Sequence, residues 1–208
     1  MSSVDVVLTA LTHHGLLLSQ DKVVPSVVGI VTEESVAGSW WSHPKARLIF
    51  TVLAEMTDHR DVLLVKLLYR KDTLVHRSLW PALLAVATSR EPWQVRGLSS
   101  SAKSLLRRVD RSTGPVRATG EPVKALRTGL LANAREIHTE SGRHEMALES
   151  WRHWSTRVGV GALPTGPDGR ELLDQAALKL GAKLTALPWH VGGRDARFER
   201  ARSQIKRK

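Results

Sequence analysis

The sequence predicts a mostly helical α+β fold in which short β-hairpins alternate with amphipathic helices. Three observations predict it. Apolar residues recur at helical spacing along most of the 208 residues. One such run leads straight into a β-branched hairpin pattern. The chain has no Cys and an ordinary apolar share of 42%, so a packed core, and not disulfides, must hold it together.

Each element follows in order. Ser2 or Ser3 caps a first helix with Val6, Val7, Ala10 and Leu11 on one face and Gly15 as its stop. Leu16–Leu18 is a short strand. Pro25-Ser26 opens a second helix through Val31, whose end carries Glu33 and Glu34 against the helix dipole. Trp40 and Trp41 are adjacent and cannot share one face, so one packs in the core while the other packs beside it or reaches a ligand such as an unstacked base. Ser42 or His43 caps a third helix starting at Pro44, with Leu48, Ile49, Val52, Leu53 and Met56 at helical spacing. Val62–Leu68, a turn at Arg70-Lys71-Asp72 and Thr73–His76 form a hairpin. Ser78 caps a fourth helix that ends near Arg90, before Glu91-Pro92.

Helix followed directly by hairpin is the local order of a winged helix. It recurs where Ser99, Ser100 or Ser101 caps a helix through Val109 and Val116-Arg117-Ala118 offers a wing strand. The expected architecture is therefore tandem winged-helix-like units. Residues 1–95 make the first, and residues 96–158 make a basic helix–wing unit with a long helix. Residues 159–191 form a helix and strand extension, and residues 192–208 a basic tail. In the extension, Asp168 and Glu171 form a capping box, and Lys183–Leu187 reads as a strand.

The long helix is expected from Glu121-Pro122 to about Val158, with Leu130, Ala134, Ile137, Ser141, His144, Leu148 and Trp151 in one stripe. Glu136, Glu140 and His144 then lie at successive i,i+4 positions and share a ridge beside that stripe. This is the richest local set of proton-transfer groups in the chain, so these three are the candidate catalytic residues, with His43 and His138 as candidate pocket residues. His138 and His144 would point to different helix faces and His-Glu-x-x-His is absent, so no metal site is expected.

Charge narrows the partner. The formal net charge is +11 and the tail holds seven Lys and Arg against two acids. Such an excess favours nucleic acid or another polyanion. Lys103, Arg107, Arg108, Arg111 and Arg117 are the candidate DNA-binding residues, with Lys66, Arg70 and Lys71 of the hairpin as a second set. No Gly-rich phosphate loop and no Gly-x-Ser-x-Gly elbow occurs, so no nucleotide cofactor and no Ser nucleophile is expected. No run reaches the length of a membrane span, and no basic region precedes the first apolar residues, which places the chain in the cytoplasm without a membrane partner.

Three segments resemble a family of short bacterial proteins called AlkZ-related. They are Gly38-Ser-Trp-Trp-Ser-His-Pro44, Val75-His-Arg-Ser-Leu-Trp-Pro-Ala-Leu83, and Ile137-His-Thr-Glu-Ser-Gly-Arg-His144 with Leu148-Glu-Ser-Trp151. The likeness covers roughly residues 10 to 155. That family is similar in turn to the AlkZ DNA glycosylases, tandem winged-helix enzymes that excise alkylated or crosslinked bases. The resemblance implies a DNA-binding, repair-linked protein. The glycosylases share a Gln-x-Gln or Gln-x-Asp motif. Here Gln20, Gln94, Gln175 and Gln204 are followed two residues on by Lys22, Arg96, Ala177 and Lys206, so no motif residue carries over. Three readings follow: a winged-helix protein binding double-stranded DNA, a base-excising hydrolase using the Glu and His set instead, or a nonenzymatic scaffold whose tail docks on an acidic protein.

Overall fold

The computed structural model describes residues 1–138 and 144–191. The chain is α+β and mostly helical, with two three-stranded antiparallel sheets.

The first unit runs α1 (Ser3–His14), β1 (Leu16–Leu18), α2 (Val27–Thr32), α3 (Ala46–Asp58), β2 (Val62–Lys66) and β3 (Asp72–His76). Its sheet order is β1-β3-β2, so the hairpin's second strand lies between its partner and the early strand. Ser2 and Asp5 form a capping box on α1, and Gly15 ends it at φ 78. Glycine suits this left-handed φ, and a Cβ there would also push on the flexible end of Leu79, 2.7 Å away. All three β1 leucines and Thr73, Leu74 and Val75 of β3 are buried. Successive strand residues point to opposite faces, so this sheet is covered on both sides and reads as continuous apolar runs.

The expected dipole conflict on α2 is resolved locally. The helix stops at Thr32, Glu33 caps it at φ 64, and Lys45 Nζ donates to the carbonyls of Val31 (3.2 Å) and Thr32 (3.3 Å). The start of α3 differs from expectation. Trp40–Ser42 form a 3₁₀ turn capped by Ser39, and the helix begins at Ala46 without a side-chain cap. Likewise Arg77–Leu79 form a 3₁₀ turn ahead of α4 (Trp80–Ala87), and the His76 ring, not Ser78, takes the capping role by accepting from Ser78 N–H.

A four-residue helix, α5 (Pro92–Val95), leads to the second unit: α6 (Ser100–Arg111), β4 (Val116–Ala118), α7 (Glu121–Thr128), β5 (Asn133–His138) and β6 (His144–Glu149). Its sheet order, β4-β6-β5, repeats that of the first, with one helix fewer between first strand and hairpin.

The long helix is therefore corrected. Four elements, two helices flanking two strands, replace it, because α7 ends at Gly129 and Leu130 turns the chain at φ 51. The misreading has a physical cause. A spacing of four keeps residues on one helix face, but four is also a multiple of the strand period of two. Ala134 and Leu148, read as members of one helical stripe, are paired across β5 and β6. The helical ridge of Glu136, Glu140 and His144 does not form: Glu136 pairs with Met146 in the register, and Glu140 lies outside the described residues. His138 and His144, expected on different faces, occupy directly opposed positions of the hairpin.

The chain then returns to the first unit through α8 (Trp151–Val158), α9 (Gly166–Lys179) and α10 (Pro188–Val191). Thr165, not Asp168, caps α9, with Asp168 as the third helical residue bonded back to it. Lys183–Leu187 contains a 3₁₀ turn (Leu184–Ala186) instead of a strand, closed by Ala186 N–H on Lys183 O and Leu187 N–H on Leu184 O. Leu173, Ala177, Leu180, Ala186 and Leu187 join Val7, Leu17, Ile49, Leu74 and Leu83 in one main core. A smaller core of Leu105, Val109, Val123, Leu126, Leu131 and Leu148 holds the second unit.

Two buried polar contacts tie the units. Gln94, 3% exposed, donates to the carbonyls of Ala87 and Gly129 at 3.1 Å each and accepts from Glu91 N–H and Ser89 Oγ. Its amide is fully satisfied, as a buried amide must be. Trp151 Nε1 donates to Leu130 O at 2.7 Å while its ring meets Trp154 edge to face.

Candidate nucleic-acid interface

α6 forms because Ser99 caps it, accepting from Ala102 N–H, and because Ala102, Leu105 and Val109 face the small core. Lys103, Arg107 and Arg111 occupy successive turns of the opposite face, and all are exposed. Arg108 Nη2 lies 3.4 Å from Arg117 O, which brings the helix row to the edge of the second sheet. Among the described residues none of these five cations has a carboxylate partner. The one acid of α6, Asp110, is held by Arg90 at 2.7 Å.

The sheet adds a cation that the sequence reading missed. In the register Arg117 pairs with Ala147 and Ala147 with Arg135, so both arginines stand on the same outer face, either side of a small residue. Both are exposed. Read as helix, residue 135 has no relation to residue 117; read as strand, it does.

The hairpin set behaves differently. Lys66 Nζ is 2.7 Å from Asp72, which also meets Arg127 of α7 at 3.4 Å. Lys71 Nζ is 2.9 Å from Asp21. Burial alone would raise the Asp21 pKa, but the N–H groups of Val23 and Val24 and the Lys71 ammonium outweigh it and hold the carboxyl below its ordinary value. Arg70 is exposed at the hairpin tip with no carboxylate partner among the described residues. Beside this tip lies a cleft of about 640 Å³, bounded by the hairpin, residues 19–23 and the 36–40 loop. Trp40 lines it, half-buried against the main core. Trp41 stacks on Trp40 at 4.1 Å and is 64% exposed, so one indole packs while its neighbour covers it from outside.

The candidate proton-transfer groups divide between the units: on the second hairpin Glu136 and His138 are two apart on β5 and His144 is paired opposite His138, while Glu140 lies outside the described residues. His43 Nε2 is 2.7 Å from Glu34 in the first unit, and Glu136 is an exposed position on β5 of the second. The buried acid of the second unit is Glu149, 6% exposed. Arg157 grips it with two bonds, Nε to Oε1 at 3.1 Å and Nη2 to Oε2 at 2.8 Å, and these bonds raise the Arg157 pKa further. His153 Nδ1 sits 3.1 Å from Oε1, off the line of a hydrogen bond. This cluster fastens α8 to the end of β6. A strand reading of residues 144–149 would have placed Glu149 directly before the cap of the next helix.

Among the described residues no group of three or more His, Asp or Glu could hold a metal ion, and no helix is long and apolar enough to cross a membrane. Comparison with protein-family profiles, with curated proteins and with solved structures finds no match to this chain.

Proposed function

We propose that this protein binds DNA through the exposed face of α6 and the adjoining outer face of the second sheet. The observation that carries the reading is the pairing state of the cations. Between residues 96 and 138, seven of nine Lys and Arg have no carboxylate partner among the described residues; between residues 1 and 95, five of nine do have one. Unpaired cations in a row exchange counterions for phosphates, whereas paired ones must first give up a partner. From Lys103 to Arg111 the row spans about 12 Å along the helix, comparable to the width of a major groove. The AlkZ-related resemblance supports the same reading and adds a link to repair. The base-excising alternative rested on a helical ridge that a hairpin replaces. The scaffold alternative rested on the tail, which lies outside the described residues.

The test is duplex affinity over a salt series. Alanine at Lys103, Arg107 and Arg111 together lowers the slope of log affinity against log salt by about 3, since each phosphate left without its cation removes about 0.9. Alanine at the paired Lys66 and Lys71 lowers it by less than about 1. A flat salt dependence in the unmodified protein, or equal losses from both sets, would overturn the reading.

A further inference from the structure

The first unit leaves the outer face of α3 bare. Ile49, Val52 and Met56 turn into the main core. At about 100° per residue the opposite face carries Arg47, Thr51, Ala54 and Asp58, and all four are exposed. On one flank of that face Phe50 is 55% exposed and lies 6.0 Å from Trp41, itself 64% exposed. On the other flank stand Leu48 and Glu55, both exposed. Single exposed apolar residues are ordinary on a monomer, but aromatic rings gathered along one helix make a contact surface.

The charges of this face are arranged against the helix that bears them. Arg47 stands in the first turn of α3, where the dipole is positive, and Asp58 is its last residue, where the dipole is negative. The first turn has no acid, the last turn has no base, and the start has no side-chain cap. Among the described residues none of Arg47, Glu55 and Asp58 has an ion-pair partner. An isolated helix would gain by exchanging Arg47 and Asp58. A local rule broken at both ends calls for something outside the helix that compensates it.

The pattern is its own complement. Arg47 and Asp58 are about 17 Å apart along the helix, equidistant from a centre between Thr51 and Ala54. Turned end for end by a two-fold axis, a second α3 sets its Asp58 against Arg47 and its Arg47 against Asp58. Thr51 and Ala54, nearest the axis, are small enough for the helices to approach to about 8 Å. Thr51 Oγ1 donates to Arg47 O at 3.1 Å within its own helix, so covering it strands no donor. The two-fold keeps each flank on its own side. Both Phe50 rings therefore fall on one side, about 7.5 Å apart along the axis, with a Trp41 outside each. Charge permits the meeting here: the whole chain is +11, but residues 1–95 carry nine Lys and Arg against nine Asp and Glu. A foreign partner would need the reversed order of charges, which a second copy supplies by symmetry.

We infer that α3 packs antiparallel on α3 of a second copy, making a two-fold homodimer. Phe50 and Trp41 hold it along one flank, and an Arg47–Asp58 pair closes each end. The dimer stands independently of the DNA-binding reading.

The test is sedimentation of the full chain from about 1 to about 200 µM, which brackets the micromolar dissociation expected where one helix and its aromatic flank form the interface. The assigned Trp41 indole resonance is followed alongside. Phe50→Ser removes two rings from the dimer and only exposed surface from the monomer, and weakens association at least about thirtyfold. Arg47→Glu or Asp58→Arg alone brings like charges together and weakens it about tenfold. Each of these also improves the match to the helix dipole, so the dilute monomer melts no lower than the unmodified chain. Arg47→Glu combined with Asp58→Arg restores association to within about threefold of the unmodified chain, since the pairs re-form reversed. A chain monomeric throughout the range, a dimer indifferent to Phe50→Ser, or a double variant no tighter than either single one would overturn the inference. So would a monomer whose Trp41 resonance moves on adding phosphatidylglycerol vesicles, which gives the face to a membrane. A monomer whose Trp41 resonance moves in Phe198→Ser gives it to residues 192–208 and overturns the dimer equally.

Discussion

The first and second units share a strand order and differ in nearly everything laid over it. In the first, two helices separate β1 from the hairpin, and both sheet faces are buried, with α8 and α9 supplying part of the main core. Its residues 1–95 carry nine Lys and Arg against nine Asp and Glu. Its α3, which leads into the hairpin, exposes Leu48 and Phe50, the latter near Trp41, with Arg47, Glu55 and Asp58 as its charges. The second unit has one helix, α7, in that interval, a smaller core, and an outer sheet face bearing Arg117 and Arg135. The contrast teaches that this sheet topology does not by itself specify a DNA surface. In the first unit five of nine cations have a carboxylate partner; in the second, between residues 96 and 138, seven of nine have none among the described residues.

The comparison breaks most sharply if the units are independent. Leu74, 1% exposed on the central strand of the first sheet, is the place to test this. Leu74→Ala costs about 2–5 kcal/mol. Because Gln94 and Trp151 tie the units through buried hydrogen bonds, hydrogen exchange of the second sheet should accelerate along with that of the first. Protection kept in β6 while β3 exchanges would show two separate folding units.

A smaller effect sharpens the claim that α9 completes the first unit. Gly169 lies against α4 so closely that a Cβ would sit 2.7 Å from Ala82 O and 3.1 Å from Ala85 Cβ. Backbone cannot move aside as a flexible side chain can. Gly169→Ala therefore destabilises by about 1–3 kcal/mol in denaturant melts, despite the better helix propensity of alanine. A stabilised variant would mean that α9 is loosely docked.

The smallest effect separates the units by pH. His14 and His76, both in the first, have pKa values held below the ordinary 6.5. Burial is the main cause in each, reinforced at His14 by the positive charge of His13 and opposed at His76 by Asp61. As pH falls through 6.5 the unfolded chain takes up these protons first, so stability present above that value is lost on descending to the folded values. His14→Gln should reduce the drop in melting temperature between pH 7.5 and 5.5. An unchanged drop would remove His14 from the account.

How much was legible depended on how local each signal was. The cap of α6 at Ser99, the Gly15 stop, the first hairpin and the row of Lys103, Arg107 and Arg111 each follow from residues within one or two turns of one another. Residues 121–158 were misread because their i,i+4 spacings satisfy a strand pairing as well as a helix face, and only pairing with β4 decides between the two. The Arg117–Arg135 face, the cation left over at Arg70 and the Glu149–Arg157 anchor were lost with that decision or needed partners distant in sequence.

By itself, then, the sequence determined that this chain forms short capped helices and a hairpin, and that its cations outnumber its acids. Those outcomes are set by backbone propensity, capping and composition, which act over a few residues or over none. Tertiary structure alone decided which cations remain free. Asp21 reaches Lys71, Asp72 reaches Lys66 and Arg127, and Asp110 reaches Arg90. Three of those four pairs join residues between 20 and 55 positions apart. A charge is neutralised by whatever lies within a few ångströms of it in space, and proximity of that kind exists only after the chain has folded.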